Sequence, residues 1–369
     1  MRREPRVLPG GLNRNGIMRV LILTPTALPS VTGNAITSER WRRSLVSKGL
    51  DVKVLPVGQI SVSSLCEEID RFRPDLLHGH HALRSGRLLL DPEVSGRYGS
   101  IPVVVSPAGT DINGDLGDRE KREIVFGICR HSRAIVAQGQ GTVEKMGKLM
   151  PELGGKMVNV PKSFMWFGES VFDLRAACGW SREDFVFFMP AGIRPVKGNL
   201  ECLGALDALH SVRPRMRAVF AGPVLDVDYA RCFEAEIKRL RAFAYWIPKI
   251  PPEAMRSAYG GADVVVNASR AEGLSNVLLE AIASGRPVLA SDIQGNRWMI
   301  LGDNGGACGC LFEPGHTGDF VRQATRLVDD GRLREKLVQS GLSRAGKWPD
   351  PGTEAERLIA TYRKAVGLS

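Results

Sequence analysis

The sequence predicts an α/β protein with two tandem doubly wound domains, and three observations favour this class. The chain has 369 residues, of which 43% are hydrophobic and 24% charged, so it is long enough to bury two cores. Short β-branched runs alternate with segments of helical periodicity in both halves. Glycine-bearing loops follow several of these runs, as in βαβ units. We therefore expect two parallel sheets, each covered by helices on both faces in a Rossmann-like arrangement.

The first domain is predicted over residues 18–165 and begins with a βαβ unit. The run Met18–Thr24 enters a loop, a helix spans Ala35–Lys48, and a second strand covers Asp51–Val57. Further short strands are predicted at Leu76–Leu77, Ile101–Val105 and Ala134–Val136. Residues 1–17 are rich in Arg, Gly and Pro, and we expect them to form a disordered extension.

The second domain is predicted over residues 183–346 and repeats the alternation. It opens with the apolar run FVFFMP, which begins at Phe185. Further strands are predicted at Met216–Ala221, Asp263–Asn267 and Pro287–Ala290. Residues 166–182 break the alternation, so we place a hinge there. Residues 347–369 are expected to form a closing C-terminal helix.

The composition restricts the partners and the compartment. The formal net charge is +10, but Lys and Arg are spread along the chain and do not cluster with aromatic residues, so we expect no nucleic acid partner. A phosphate-bearing small molecule fits this charge, and so does peripheral contact with an anionic membrane. The seven cysteines are scattered, and no apolar run has the length of about 20 residues that a membrane span needs. We therefore predict a cytoplasmic protein.

A turn that enters a helix carries the strongest functional pattern. Glu272 stands just before the turn, the helix is predicted from about Asn276 to Ser284, and Glu280 lies about one helical turn inside it. The unpaired N–H groups at a helix N-terminus can hold a sugar hydroxyl or a diphosphate. One ligand could therefore touch both glutamates.

Two basic residues follow the first strand of the second domain. Arg194 and Lys197 come after Gly192 at the carboxyl end of the run FVFFMP. Fixed cations at this place can neutralise the negative charge that gathers on a leaving diphosphate. We therefore predict that both residues take part in catalysis.

Two loops of the first domain carry candidate ligand-binding residues. Gly33 and Asn34 begin a helix, and a glycine there permits close approach to a phosphate or an acceptor group. Thr110 and Asp111 follow the strand Ile101–Val105, where ligands bind in open α/β sheets. We place Thr110 and Asp111 on the acceptor side of the site.

The histidines and cysteines raise the question of a metal. His78, His80 and His81 form a cluster, but no carboxylate or cysteine stands at ligand spacing. We therefore predict no metal, and we place His80 on the acceptor side. Cys308 and Cys310 are interpreted as two buried thiols, because no second pair completes a zinc site.

These motifs together resemble family 4 of the glycosyltransferases, the group 1 enzymes with the GT-B fold. The resemblance runs from about Met18 to Gly341, and it includes the strand Asp263–Ser269 followed by the Glu-Gly-x-Ser turn and a second Glu. It implies two Rossmann-like domains that face each other across a cleft, a nucleotide-sugar donor, and no metal or other cofactor. The motifs TGNA, SGRLLL and AGTDIN are closer to a small subgroup of this family.

The resemblance also implies roles within a donor site. Glu272 would lie beside the donor sugar as a catalytic residue, and Glu280 would accept hydrogen bonds from the ribose hydroxyls. Lys249 and Ile250 would lie where family members wrap the backbone around the nucleotide base. The residues whose backbone N–H groups would hold the sugar or face the diphosphate are Gly273, Leu274, Ser275, Asn276, Val277 and Leu278. Gly33, Asn34 and Gly192 complete the implied donor-binding set.

Two positions depart from the family pattern. The family has Arg directly after Gly, whereas Ile193 here separates Gly192 from Arg194. Many members have a histidine just before Gly-Thr-Asp, whereas this chain has Ala108. A retaining transfer in which the leaving phosphate accepts the proton of the acceptor needs no such histidine.

We therefore predict a retaining enzyme that moves a hexosyl unit from a UDP- or GDP-sugar to an unidentified acceptor. Arg84 and Arg87 would suit an anionic acceptor. Two alternatives stay open. A sugar-nucleotide epimerase of the same fold would consume its substrate without an acceptor, and a non-catalytic sugar-nucleotide-binding protein would bind without turnover.

Overall fold

The computed structural model describes residues 16–301 and 306–368, so residues 1–15 of the expected extension lie outside the described part. The chain divides into two compact units. The first unit comprises residues 16–30, 34–163 and 349–368, and the second comprises residues 31–33, 164–301 and 306–348. Each unit contains one six-stranded parallel sheet, which confirms the predicted fold class.

The sheet of the first unit has the strand order β2-β1-β3-β4-β5-β6, so its winding reverses between β1 and β3. Its strands are β1 (Arg19–Thr24), β2 (Asp51–Pro56), β3 (Leu76–His80), β4 (Val103–Ser106), β5 (Ala134–Ala137) and β6 (Met157–Asn159). The helices are α1 (Gly33–Ser47), α2 (Val62–Phe72), α3 (Ala82–Leu89), α4 (Pro92–Tyr98), α5 (Thr110–Asn113), α6 (Arg119–His131) and α7 (Gln140–Leu149). The central strands are buried along their length because helices cover both faces.

The sheet of the second unit has the order β12-β11-β10-β7-β8-β9, and its winding reverses between β7 and β10. Its strands are β7 (Phe185–Pro190), β8 (Met216–Ala221), β9 (Ala244–Ile247), β10 (Val264–Asn267), β11 (Val288–Ser291) and β12 (Gly309–Phe312). Its helices are α8 (Asn199–Val212), α9 (Val227–Arg239), α10 (Met255–Gly260), α11 (Asn276–Ala283), α12 (Gln294–Leu301), α13 (Thr317–Asp329) and α14 (Gly331–Ala345). Two apolar clusters, one on each face of the sheet, form its core.

The last helix, α15 (Pro351–Ala365), packs into the first unit. Its buried Glu354 accepts hydrogen bonds from Arg40 Nε at 2.9 Å and from Trp41 Nε1 at 2.8 Å. The hydroxyl oxygen of its buried Tyr362 lies 2.6 Å from His78 Nδ1. Residues 347–369 were predicted to form a closing element of their own, whereas these contacts join the helix to the first unit.

Two further segments differ from the sequence analysis. Residues 166–182, where a hinge is expected, belong to the second unit, because Leu174 is fully buried in its core and Arg175 bonds Asp263 at 2.6 Å. The edge strand β9 (Ala244–Ile247) lies where no strand was predicted. No strand was predicted at β6 or β12, which are edge strands of three and four residues.

Candidate functional site

The carboxyl ends of β7 and β10 bring two predicted catalytic residues together in the second unit. The two strands are neighbours at the point where the winding reverses, which is where ligands bind in sheets of this kind. Lys197 ends a short 3₁₀ turn after β7, and Glu272 follows β10. Lys197 Nζ donates a hydrogen bond to Glu272 Oε1, and both side chains are largely buried. The ion pair holds the Lys197 ammonium close to the carboxyl ends of these two strands.

A glycine allows the two loops to approach so closely. Gly198 has a φ of +66°, and a Cβ at this position would lie 2.5 Å from the carbonyl oxygen of Ala268. The loops are also joined by a hydrogen bond of 2.9 Å from Arg270 N to Val196 O. Any other residue at position 198 would therefore separate the loop of Lys197 from the loop of Glu272.

The surroundings of Glu272 keep its carboxyl group ionised. Burial alone would raise its pKa, but the charge of Lys197 and hydrogen bonds from Lys197 and Ser269 have a larger effect, so the pKa lies below its ordinary value. The bond from Ser269 Oγ to Glu272 Oε1 is 2.7 Å long. The positive charge of Arg194 also lowers the pKa of this carboxyl group.

Three buried residues, Ser269, Ser291 and Asn296, form a chain of hydrogen bonds that ends at Glu272, and they were not predicted as site residues. Asn296 Nδ2 donates to Ser291 Oγ at 3.1 Å, and Ser291 Oγ donates to the carbonyl oxygen of Ser269 at 2.5 Å. Ser269 then bonds Glu272 through its own hydroxyl. The available signal was the position of Ser269 and Ser291 at the ends of two apolar strands, where a polar side chain needs a partner.

The turn residues Gly273, Leu274, Ser275 and Asn276 lead from Glu272 into α11, as predicted. Ser275 occupies the N-cap position, but its hydroxyl accepts a hydrogen bond from Asn267 Nδ2 at 2.9 Å and makes no capping bond to the helix. The first N–H groups of α11 are therefore not capped by the Ser275 side chain. Val277 is half-buried, whereas the side chain of Leu278 lies in the core, so Leu278 could face a diphosphate only through its backbone.

Glu280 lies in the second turn of α11 and is oriented by a tyrosine. The buried hydroxyl of Tyr259 donates to Glu280 Oε2 at 2.9 Å. Burial and the charge of Glu280 raise the pKa of Tyr259 well above its ordinary value, so the hydroxyl remains protonated. Tyr259 therefore fixes one carboxylate oxygen of the residue that was predicted to bind the ribose.

The departure from the family spacing has a structural reason. Ile193 is fully buried and forms a β-bridge with Val224, so the extra residue extends the pairing beyond β7. Gly192 precedes it, and a Cβ there would lie 2.4 Å from Leu225 Cδ1. Arg194 follows, half-buried, and its backbone N–H donates to Asn199 Oδ1 at 3.2 Å.

The remaining predicted donor-site residues are less well placed for side-chain contacts. Lys249 is exposed in the loop after β9, and Ile250 has a buried side chain, so only the backbone of Ile250 could meet a nucleotide base. Gly33 and Asn34 are the first two residues of α1, with Gly33 exposed and Asn34 half-buried.

In the first unit, the prediction for Asp111 needs correction. Its side chain is completely buried, and its carboxylate accepts backbone N–H groups from Ala82 at 2.6 Å, Ala108 at 3.0 Å and Gly109 at 2.9 Å. Ala82 is the first residue of α3, and Ala108 and Gly109 lie in the loop after β4. Asp111 therefore joins the start of α3 to this loop and does not present its carboxylate to an acceptor.

The prediction for His80 also needs correction, because its side chain is only 2% exposed and does not line a surface. Its ring lies edge-on to Trp41 with the centroids 4.9 Å apart. Burial, together with the nearby basic side chains, lowers its pKa well below the ordinary value of 6.5 and keeps it neutral. Its neighbour His78 is equally buried, and burial lowers the pKa of His78 to about 3.

His81 is the histidine that joins Thr110. Its Nε2 lies 3.1 Å from Thr110 Oγ1, and its Nδ1 accepts the N–H of Arg84 at 3.4 Å as the N-cap of α3. The backbone of His81 has a φ of +72°, a strained conformation for a residue with a side chain. Thr110 is half-buried at the start of α5. Of the three residues predicted on the acceptor side, Thr110 is therefore the one that is partly exposed, whereas His80 and Asp111 are buried.

The described residues contain no group of three or more His, Cys, Asp or Glu arranged to hold a metal ion. Cys308 and Cys310 are buried free thiols, and burial raises the pKa of each. Among the described residues, no helix combines the length and apolar character needed to cross a bilayer.

Comparison with known proteins shows similarity to glycosyltransferases, first in the second unit and then over most of the chain. Residues 171–344 match the model of the family described as glycosyl transferases group 1. Over 332 residues the chain is 26% identical to glycosyltransferase 1 domain-containing protein 1 of Xenopus tropicalis, covering 88% of this chain and 91% of that protein. The motifs TGNA, SGRLLL and AGTDIN indicated a subgroup resembling that protein, and this similarity confirms the predicted resemblance.

Solved structures agree at the level of the fold. Sucrose-phosphate synthase from Thermosynechococcus elongatus superimposes with a TM-score of 0.77 at 15% identity, over 95% of this chain and 100% of that one. Anabaena HepE in complex with UDP-glucose gives a TM-score of 0.74 at 17% identity, over 94% and 100% of the two chains. The two units thus have the GT-B architecture that these glycosyltransferase structures share. The similarity to the group 1 glycosyltransferases is carried by residues 171–344 of this chain.

Proposed function

We propose that the chain is a retaining glycosyltransferase that moves a hexosyl unit from a UDP- or GDP-sugar to an acceptor. The observation that carries the proposal is the Lys197–Glu272 ion pair at the reversal point of the second sheet, beside the first turn of α11. A relative in the same architecture, Anabaena HepE, is described in complex with UDP-glucose.

The proposed reaction places each residue by its charge and neighbours. As the glycosidic bond breaks, the diphosphate takes the bonding electron pair, and Lys197 with Arg194 would offset its negative charge. The N–H groups of the first turn of α11 would bind diphosphate oxygens, and Glu280 would accept hydrogen bonds from the ribose. The acceptor oxygen would bond the anomeric carbon on the face that the diphosphate leaves, and its proton would pass to the departing phosphate. This step needs no metal and no other cofactor.

Two variants test the proposal in purified protein. Lys197→Ala removes the cation that faces the leaving group, and we expect turnover of UDP-glucose, UDP-GlcNAc or GDP-mannose to fall by about 100-fold or more. Glu280→Ala removes the proposed ribose contact, and we expect weaker nucleotide binding. Thermal shift by UDP and GDP, together with slow donor hydrolysis, provides both readouts. Full turnover in Lys197→Ala, or unchanged stabilisation by UDP and GDP together with full turnover in Glu280→Ala, contradicts the assigned role of that residue.

The same assay separates the alternative functions. Ala108 and the position of Arg194 leave a non-catalytic binding protein as the second candidate, since both depart from the family pattern. Such a protein would be stabilised by a nucleoside diphosphate but would hydrolyse or transfer nothing across a panel of acceptors. An epimerase would convert the sugar nucleotide in the absence of any acceptor. No stabilisation by any nucleoside diphosphate contradicts all three.

A further inference from the structure

The first unit contains a cavity of about 450 Å³ at the edge where its strands begin. Residues at the starts of β4, β5 and β6 line it, so it lies at the opposite sheet edge from Thr110 and His81, which follow the strand ends. Four basic residues contribute to its lining, namely Arg130, His131, Arg133 and Lys156, and we call these four residues the basic pocket. None of the lining residues is acidic.

One explanation for cations at this place is the end of α6, whose unpaired carbonyl groups attract positive charge. In the structure, Lys156 and Ser132 satisfy carbonyl groups at this helix end. Lys156 Nζ donates to Arg130 O at 2.6 Å and to Ser132 O at 2.9 Å. The backbone N–H of Ser132 donates to Ile128 O at 2.9 Å, and its hydroxyl donates to Cys129 O at 2.9 Å. The helix end therefore does not require the side chains of Arg133 and His131.

The other charges around the cavity do not neutralise it. Arg130 and Glu152 approach to 3.5 Å, but both side chains are more than half exposed, so their attraction is weak. The side chains of Arg133 and His131 are exposed and form no hydrogen bond or ion pair with any described residue. The ammonium of Lys156 has three N–H donors and uses two for carbonyl oxygens. Positive charge and N–H donors thus remain available to an anion.

We propose that the basic pocket binds a phosphate group of a second ligand, separate from the nucleotide-sugar donor. Guanidinium groups suit phosphate oxygens because their N–H donors form paired, charge-assisted hydrogen bonds. The cavity volume falls in the range of about 300–1,000 Å³ that small-molecule sites occupy, which exceeds the size of a bare phosphate. The shared chemistry is a phosphate ester, which a soluble metabolite or the headgroup of an anionic lipid could supply.

The experiment uses the full chain, inorganic pyrophosphate as the soluble probe, and phosphatidylcholine vesicles with and without phosphatidylglycerol as the lipid probe. The test variant is Arg133→Gln combined with His131→Gln, because neither side chain supports the fold through a described bond. Lys156 is left intact since it closes the end of α6. The control is Arg363→Gln, which removes one exposed charge from α15 of the same unit.

We expect the test variant to bind one of the two probes about tenfold more weakly than the parent, and the Arg363→Gln control to bind it as the parent does. A tenfold loss corresponds to the loss of one or two charge-assisted hydrogen bonds. Loss confined to pyrophosphate identifies a soluble phosphate ester, and loss confined to phosphatidylglycerol vesicles identifies a lipid headgroup. Equal binding by parent, test variant and control in both assays overturns the proposal, and so does a parent that binds neither probe. Pyrophosphate that binds instead at the proposed donor site of the second unit would bind parent, test variant and control equally. Because no sugar nucleotide is used, the result does not depend on the proposed transferase activity.

Discussion

At the scale of single residues, the state of Glu272 depends on two neighbours that share its Oε1 atom. Lys197 supplies a charge, and Ser269 supplies a hydroxyl group that Ser291 and Asn296 hold from behind. Together they outweigh the effect of burial and lower the pKa of the carboxyl group. An ionised Glu272 in turn keeps the Lys197 ammonium directed to the reversal point of the sheet.

Replacing Ser269 by alanine tests this arrangement. The loss of one hydrogen bond to the ionised form raises the pKa of Glu272, so the acid limb of the pH–rate profile for UDP-glucose hydrolysis should move to higher pH. Ser284→Ala serves as control, because that hydroxyl bonds the Glu280 carbonyl oxygen at 2.7 Å at the other end of α11. An acid limb at the same pH in Ser269→Ala and parent would show that Ser269 does not tune Glu272.

At the scale of elements, the close approach of two loops creates the site in the second unit. Gly198→Ala places a Cβ 2.5 Å from Ala268 O at a φ of +66°, so either the loop moves or the backbone bears the strain. We expect a loss of about 1–3 kcal/mol in the free energy of unfolding and a marked loss of donor hydrolysis. Gly204→Ala, inside α8 with no atom near the added Cβ, should instead stabilise by about 0.5–1 kcal/mol. Urea unfolding measures both, and equal stabilities would contradict the role given to Gly198.

Among the described residues of the first unit, two that are not glycine have a positive φ, one before β3 and one directly after it. Arg73 has a φ of 49° at the C-cap of α2, and His81 has a φ of 72° at the N-cap of α3. Arg73→Gly should raise the free energy of unfolding by up to about 1 kcal/mol, because glycine adopts this conformation without strain. His81→Gly relieves the same strain but loses the bonds to Thr110 and Arg84, so it should gain less. Thermal unfolding of the two variants compares them, and a larger gain for His81→Gly would show that its bonds contribute nothing.

Long elements with a clear period could be predicted from the sequence, and so could the motif around Glu272. The run FVFFMP and the turn into α11 lie where the pattern placed them. The exposure of His80 and Asp111 could not be predicted, because both follow or end strands as ligand-binding residues do. Trp41 and three backbone N–H groups decide that they are buried, and sequence spacing does not reveal these partners. The partners of Lys156 and Glu354 likewise depend on tertiary contacts.

At the scale of the whole molecule, a buried ion pair joins the last helix to the first one. Burial raises the pKa of Glu354. The charge of Arg40 and the hydrogen bonds from Arg40, Ser163 and Trp41 lower the pKa by more than burial raises it, so the net pKa lies below the ordinary value of 4.5. A carboxyl group of this kind stabilises the folded state fully above its unfolded pKa, and the contribution disappears as the pH falls through its folded pKa.

Replacing Glu354 by glutamine leaves the Arg40 guanidinium buried without a counter-charge. We expect a loss of about 3–5 kcal/mol in the free energy of unfolding at neutral pH, and a smaller loss as the pH falls below 4.5. Glu356→Gln is the matched control, since its exposed pair with Lys48 should contribute at most about 1 kcal/mol. Urea unfolding at several pH values gives both results. A difference between Glu354→Gln and parent that grows toward acid pH would contradict this account.

The central claim is that this chain cleaves a nucleotide sugar with retention, using the site after β7 and β10. The most direct measurement is proton NMR of the purified protein incubated with UDP-glucose, UDP-GlcNAc or GDP-mannose, with water as the acceptor. The claim predicts release of a nucleoside diphosphate from at least one donor, and a free sugar that first appears in the α configuration of the donor. A sugar that first appears in the β configuration, or no nucleoside diphosphate from any of the three donors, would contradict it.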